Sequence, residues 1–276
     1  MAIKPPTLSK EWLDKKIAEE TDALTKHGLK PEIRKDEILL NYKGTELSFV
    51  IRDKIQLFHA MLMLDENLGQ DQYSMMTVKD KVVVDIGAYY GESAILFALK
   101  GSPRIVAYEL YPYSAKIAQE NVRRNNLQDV ITIVNKGCGI PSSVRIPLNH
   151  RNMMFSALKD FKRGKKVDVL SLQNIVETNR IPLDSRIKFD CEGCENDAIL
   201  KSTIDIMGRF KQVFMEYHYG YRRLTNKLGK MLFNVKYGTP RLFKNSATGT
   251  NMHMGLLFAE FVPEYKEILV PEDTKQ

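Results

Sequence analysis

A chain of 276 residues with 43% apolar content is long enough for one large α/β domain plus a modest extension, and it excludes an intrinsically disordered protein. The 41 Lys and Arg against 34 Asp and Glu give a net charge of +7, which favours anionic surroundings such as nucleic acid, phosphorylated acceptors or a membrane surface, although lysine-rich surfaces often serve solubility alone. No run approaches ~18 consecutive apolar residues, so no transmembrane helix is expected. Three cysteines, an odd number, and a polar Lys/Pro/Ser start without an apolar signal core predict a reducing, cytoplasmic setting.

Residues 9–27 read as a helix capped by Ser9, with Trp12, Leu13, Ile17 and Leu24 at helical spacing and Gly28 ending it before Pro31. Residues 38–40 and 47–51 flank Lys43-Gly44 and read as a hairpin. Residues 53–68 form a further helix, whose Ile55, Leu57, Phe58, Met61, Leu62 and Leu64 make an apolar face wide enough to be buried. His59 lies among them and reads as a packing histidine rather than a ligand or base. These elements constitute an extension expected over residues 1–75, ahead of a main domain over 76–265 and a polar tail over 266–276.

The main domain opens with Lys-Val-Val-Val-Asp-Ile-Gly-Ala-Tyr-Tyr-Gly-Glu, residues 81–92, around which the rest is organised. Val82, Val83 and Val84 form a β-branched run that reads as a strand buried on both faces. Gly87 and Gly91 let the backbone turn and approach a ligand before an Ala-rich helix over 93–99. A second strand over 104–108 ends at Glu109, about 20 residues past the glycines, where a carboxylate accepts hydrogen bonds from both ribose hydroxyls. Taken singly, strand-to-helix packing and a solvated strand end explain these features; together they fit a nucleoside-containing cofactor at the strand ends. The dinucleotide fingerprint G-x-G-x-x-G is replaced by Asp85-x-Gly87-x-x-x-Gly91, whose acid would repel a pyrophosphate but attract a sulfonium and an ammonium. That points to S-adenosylmethionine, held by Asp85, Gly87, Ala88, Tyr89, Gly91, Glu109 and Leu110.

Pro112 suits a first helical turn, and Ala115, Ile117, Ala118 and Val122 give that helix its buried stripe up to Asn125-Asn126. Residues 130–134 read as the third strand. Its exit, Asn135-Lys136-Gly137-Cys138, is expected beside the adenine, with Gly137 allowing close approach; an ordinary glycine turn explains it equally. Residues 144–147 and 156–158 read as hairpin strands separated by Asn149, His150, Arg151 and Asn152, followed by a basic loop of Lys159, Lys162, Arg163, Lys165 and Lys166. Such a charge run is usually a solvated face. Residues 186–190 read as the fourth strand, 212–217 as the fifth, 224–232 as a helix, and 233–237 and 253–261 as a closing antiparallel pair. Between residues 211 and 251, Arg222, Arg223, Lys227, Lys230, Lys236, Arg241 and Lys244 face a single acid, Glu216. That imbalance suggests an anionic acceptor.

Four segments, Val-Val-Asp-Ile-Gly-Ala-Tyr-Tyr-Gly-Glu-Ser, Val-Ala-Tyr-Glu-Leu-Tyr-Pro, Glu-Asn-Val-Arg-Arg-Asn-Asn and Lys-Phe-Asp-Cys-Glu-Gly-Cys-Glu, resemble in order and spacing the FkbM-type S-adenosylmethionine-dependent methyltransferases. The resemblance covers roughly residues 75–262, and the Asp190-x-Glu192-Gly193-x-Glu195 signature is its most specific part. Family members usually carry small apolar residues in place of Cys191 and Cys194, and Asn in place of Tyr89. The resemblance implies the class I methyltransferase fold: a Rossmann-like α/β sheet, mostly parallel with an antiparallel last strand, and helices on both faces. It further implies O-methylation of a hydroxyl on a small molecule, glycan or lipid-linked saccharide. An RNA (tRNA) methyltransferase is the alternative, explaining the basic C-terminal half but not the missing Asn/Asp-Pro-Pro-aromatic turn. A non-catalytic S-adenosylmethionine-binding protein is the third reading.

Methyl transfer from a sulfonium is an in-line displacement, so the enzyme must align the acceptor and, for a hydroxyl, remove its proton. Asp190, Glu192 and His218 are the expected catalytic residues, with His218 as candidate base, because all lie at neighbouring strand ends. Glu195 could equally favour a helix start by its charge. No metal site is assigned, although clustered carboxylates there could hold a divalent ion that orients a diol. Cys191-Glu192-Gly193-Cys194 has the redox C-x-x-C spacing. With no second pair to complete a zinc site, and with acids that raise a thiol pKa, the cysteines read as small semi-apolar fillers.

Overall fold

The computed structural model describes residues 9–148, 161–244 and 251–263. Ser9 Oγ accepts the Trp12 N–H and starts α1 (Lys10–Lys26). Strands β1 (Glu32–Ile33), β2 (Glu37–Tyr42) and β3 (Thr45–Val50) form an antiparallel sheet, with Lys43 and Gly44 at positive φ in the tight turn. Asp53 then caps α2 (Lys54–Leu64), which runs on into a π-helical turn over Asp65–Gly69.

The main sheet begins with β4 (Val82–Ile86), α3 (Glu92–Leu99), β5 (Arg104–Tyr108), α4 (Pro112–Arg124) and β6 (Ile131–Val134). A small sheet of β7 (Gly137–Cys138), β8 (Ser142–Ile146) and β9 (Lys165–Leu170) follows, then α5 (Leu172–Thr178). The chain returns through β10 (Ser185–Phe189), α6 (Cys194–Lys201), α7 (Ile204–Met207), β11 (Phe210–Tyr217) and α8 (Arg222–Lys230). It closes with β12 (Phe233–Tyr237), β13 (Arg241–Lys244) and β14 (Asn251–Phe261). The strand order is β12-β14-β11-β10-β4-β5-β6, with β13 on β14; β14 runs antiparallel to β11 and β12, and the pairs from β11 to β6 are parallel. The order reverses between β4 and β10, and the carboxyl ends there open the crevice in which such sheets bind ligands.

Alternation along the strands fills two cores. Val83, Ile105 and Ala107 face one side with Leu96 and Phe97, and Phe49 and Met61 of the first 75 residues are continuous with this cluster. Val84, Ile86, Ile187 and Phe189 face the other side with Ile175, Ile199 and Leu224. Asn121 of α4 stitches the early hairpin to the sheet, donating to the Tyr90 carbonyl at 2.8 Å while accepting from Val50 N at 2.8 Å.

One expectation changes. The partner of residues 142–146 is 165–170, so Lys165 and Lys166 are strand residues rather than loop. The expected strand at 156–158, the connection carrying Asn149 to Asn152, and the tail all lie outside the described residues. Strands β1, β7 and β13 and helix α7 were not anticipated, because two to four residues are too short to carry a period. Among the described residues no helix is long and apolar enough to cross a membrane.

Candidate active site

Asp85, on β4, is fully buried, and its charge is already engaged. Ser93 Oγ donates to its Oδ2 at 2.6 Å, and Lys188 Nζ lies 3.0 Å from its Oδ1. Lys188, itself 1% exposed on β10, also donates to the Gly87 carbonyl at 2.6 Å. Burial works against its charge, but Asp85 and Asp190 hold its pKa above the ordinary value. Asp85 therefore ties β4, α3 and β10 together instead of supplying the free negative charge that its sequence position suggests. The clue in the sequence was Lys188 itself, a cation between the apolar Ile187 and Phe189 of a fully buried strand that also carries Arg186.

Gly87 is needed for a tighter reason than ligand approach. Its φ is +86°, and a Cβ there would lie 1.8 Å from the Asp190 carbonyl oxygen, so the turns after β4 and β10 meet backbone to backbone. Tyr89 (φ 47°) and Glu192 (φ 58°), one in each turn, also sit in the left-handed region, a strain that collects at functional sites. Beyond Gly87, Ala88 is buried with its N–H on the Tyr108 carbonyl at 3.0 Å, and Gly91 caps α3.

Glu109 stands at the end of β5, 5% exposed. Its Oε2 accepts Tyr89 N at 2.8 Å and its Oε1 accepts Tyr111 N at 2.7 Å, which leaves each oxygen a further lone pair. Burial pushes its pKa up to about 7, against the pull of these two hydrogen bonds. Asn135 Nδ2, in the exit expected beside the adenine, donates to the Glu109 and Leu110 carbonyls at 2.9 and 3.0 Å and locks the strand exit. Gly137 packs so closely on Leu110 that a Cβ would sit 2.9 Å from its Cδ1. The Tyr89 ring stacks on Tyr90 at 3.8 Å, and its hydroxyl meets His59 Nδ1 at 2.9 Å. Burial pulls His59 down to about 4, so it is neutral at physiological pH.

Across the crevice, the ends of β10 and β11 gather Asp190, Glu192, Glu195, Glu216 and His218. His218 is 1% exposed; its Nδ1 is 3.1 Å from Glu195 Oε1 and its Nε2 is 3.5 Å from Glu192 Oε2. Burial alone would discharge it, but the bond to Glu195 and the charges of Glu195, Glu192 and Asp190 push it up to about 10. As an imidazolium it has no lone pair with which to take a proton. Glu195, fully buried, also accepts the Cys191 and Gly193 N–H groups at 3.2 and 3.3 Å, so it organises the turn. Burial drives Glu192 up to about 8, opposed by His218 and reinforced by Asp190, Glu195 and Glu216. Glu216 rises to about 7, chiefly by burial and then by the charge of Asp190.

Glu66, in the π turn of the extension, joins this group. Burial first, then Asp190, pushes it up to about 7, and it in turn acts on Glu216. No sequence signal marked it, since it lies far from every motif. Cys191 and Cys194 are joined as a disulfide across the motif turn, with Cα atoms 5.5 Å apart, rather than standing as two separate small fillers. Their three-residue separation permitted the bond; the left-handed Glu192 and Gly193 between them bring the two ends together. The basic residues Arg222, Arg223 and Lys230 of α8 and Lys236 of β12 are exposed. Arg222 and Arg223 start α8, a few residues after His218 at the same sheet edge.

A family model described as the methyltransferase FkbM domain matches residues 85–236, more than half of the chain. The ribosomal protein L11 methyltransferase of Carboxydothermus hydrogenoformans is 44% identical over 54 residues, 20% of this chain and 18% of that protein. The match thus spans about a fifth of that relative's length. Among solved structures, wild-type Trm5b of Pyrococcus abyssi overlays with a TM-score of 0.42 at 13% identity, covering 84% of this chain and 63% of that one. Precorrin-6y C5,15-methyltransferase of Geobacter metallireducens overlays with a TM-score of 0.37 at 17% identity, covering 67% and 81%. The fold itself rests on the strand order and registers above. The family match begins at Asp85 and takes in both turns and both strand ends of the crevice, and the chain belongs to the methyltransferase FkbM domain family of S-adenosylmethionine-dependent methyltransferases.

Proposed function

We propose that this chain methylates a hydroxyl oxygen of a small molecule, glycan or lipid-linked saccharide, using S-adenosylmethionine bound along the turns after β4 and β5. The cofactor suits the residues present. Glu109 keeps a free lone pair on each oxygen for the two ribose hydroxyls, and Leu110 and Gly137 form a close apolar wall for the adenine. Gly87, Ala88, Tyr89 and Gly91 line the turn. The excess of carboxyls across the crevice complements a cofactor with a sulfonium and an ammonium. When bound, S-adenosylmethionine supplies an electrophilic methyl group.

The observation that carries the hydroxyl assignment is Glu192. It is a carboxyl in a strained left-handed turn, held near a charged His218 and pushed up to about 8. A base with a pKa near the working pH suits removal of a hydroxyl proton during displacement. His218, as imidazolium, orients Glu192 and limits how far its pKa rises, while Asp190 positions the acceptor. The rate should therefore rise with pH through about 8 as Glu192 ionises.

The exposed cations of α8 favour a second reading, a polyanionic RNA acceptor, through charge rather than through any base-reading group. The test is transfer of an isotopically labelled methyl group to hydroxylated small molecules, glycans and tRNA in parallel, read by mass shift. Label on a hydroxyl with a rate that loses its rise near pH 8 in Glu192→Gln supports the proposal. Label on RNA overturns it.

A further inference from the structure

We infer that Asp190, Glu216 and His218 form a binding site for one divalent metal ion, of the Mn2+ class, at the acceptor end of the crevice. One carboxylate oxygen of Asp190, one of Glu216 and a ring nitrogen of His218 lie within 4.8 Å of one another. Small side-chain rotations bring three such atoms onto one ion at roughly 2.0 to 2.6 Å. The three residues come from two adjacent parallel strand ends, Asp190 just past β10 and Glu216 and His218 on and after β11, so the sheet presets their spacing.

The second observation concerns His218, which is 1% exposed. Its Nδ1 is taken by Glu195, itself fully buried, and its Nε2 has only an ion-pair contact at 3.5 Å with Glu192. A buried carboxylate behind one imidazole nitrogen is the outer-shell arrangement that fixes the tautomer of a metal-ligating histidine. Uptake of the ion displaces the imidazole proton, as at any histidine ligand. Two hard oxygens with one imidazole favour a first-row ion such as Mn2+ over Ca2+, which prefers an all-oxygen shell.

Three protein ligands leave coordination positions for the acceptor. An acceptor hydroxyl bound there becomes more acidic. Its proton passes to Glu192, its oxygen forms the new O–C bond, and the C–S bond breaks with its electron pair going to sulfur. The products are the methyl ether, S-adenosylhomocysteine and one proton. This role rests on the methyltransferase reading, but the site does not.

The test is therefore binding of Mn2+ alone, without cofactor or acceptor. The chelator-treated full chain is titrated with Mn2+ and free ion is read by electron paramagnetic resonance. The expected result is about one ion per chain, with affinity falling by about tenfold or more in Asp190→Asn and in Glu216→Gln. Parent protein that binds no Mn2+ overturns the inference whether or not the variants fold. So does an affinity unchanged in folded variants, with folding checked by thermal unfolding. Binding of S-adenosylhomocysteine, measured separately, reports on the functional reading, so failure of one is distinguishable from failure of the other.

Discussion

At the β4–β5 end of the crevice the charged groups have partners from the protein: Asp85 has Lys188 and Ser93, and Glu109 has two backbone N–H groups. At the β10–β11 end, Glu66, Asp190, Glu192 and Glu216 crowd together, and three of them are raised to about 7 or 8 because burial is not matched by enough cations. The first end is preformed by these bonds, although burial still lifts Glu109 to about 7 and Glu92, at the start of α3, to about 8. The second is electrostatically incomplete until something positive, or a proton, enters.

The sharpest way to break this contrast is to remove the cation that completes the first end. Lys188→Met leaves Asp85 buried and unpaired, and we expect a loss of about 3 to 5 kcal/mol in urea unfolding. Adding Asp85→Asn should recover part of it. A loss under about 1 kcal/mol would mean that Asp85 does not depend on Lys188.

Glu109→Ala should weaken S-adenosylhomocysteine by about 1 to 3 kcal/mol in calorimetry while the fold survives. Because burial lifts Glu109 to about 7 and ribose hydroxyls donate best to the ionised form, parental affinity should rise between pH 6 and 8. Unchanged affinity in the variant removes Glu109 from the cofactor site.

For the second end, stability itself is the probe. Glu66 and Glu216 at about 7 and Glu192 at about 8 lie above the unfolded carboxyl value of 4.5, so the folded state binds more protons between these limits. Their contribution is fully present below pH 4.5 and lost as pH rises through 7 to 8. The metal-free, cofactor-free protein should show a Tm that declines by a few degrees over that range in scanning calorimetry. A Tm that climbs instead would show that these carboxyls are better neutralised than their surroundings imply.

The smallest effect concerns the exposed rim. Neutralising Arg222 and Arg223 together should raise KM for an anionic acceptor a few-fold at low salt, with kcat and cofactor affinity little changed. The difference should vanish at high salt. A KM indifferent to salt in the parent would make the basic face a solubilising surface.

The turns were legible in the sequence where their signal was local. Three valines, two glycines and the acid at Glu109 announce a strand, a turn and a second strand ending in a carboxylate within thirty residues, and the structure has β4, α3 and β5 there. The hairpin at Lys43-Gly44 and the antiparallel β14 were legible for the same reason. The small sheet of β7, β8 and β9 was misjudged because its pairing skips across a long connection, and nothing in residues 142–146 names the partner.

Sequence alone determined the longer strands and helices of the main sheet and the cofactor class, because periodicity, glycine turns and motif spacing are properties of neighbouring residues. Only the tertiary structure decided what those residues' charges do. Asp85 is neutralised by Lys188, which arrives from the adjacent strand 103 positions later; Glu66 enters from the extension; His218 becomes an imidazolium because Glu195, Glu192 and Asp190 surround it. Protonation depends on burial and on partners from distant parts of the chain, and these exist only once the sheet has formed.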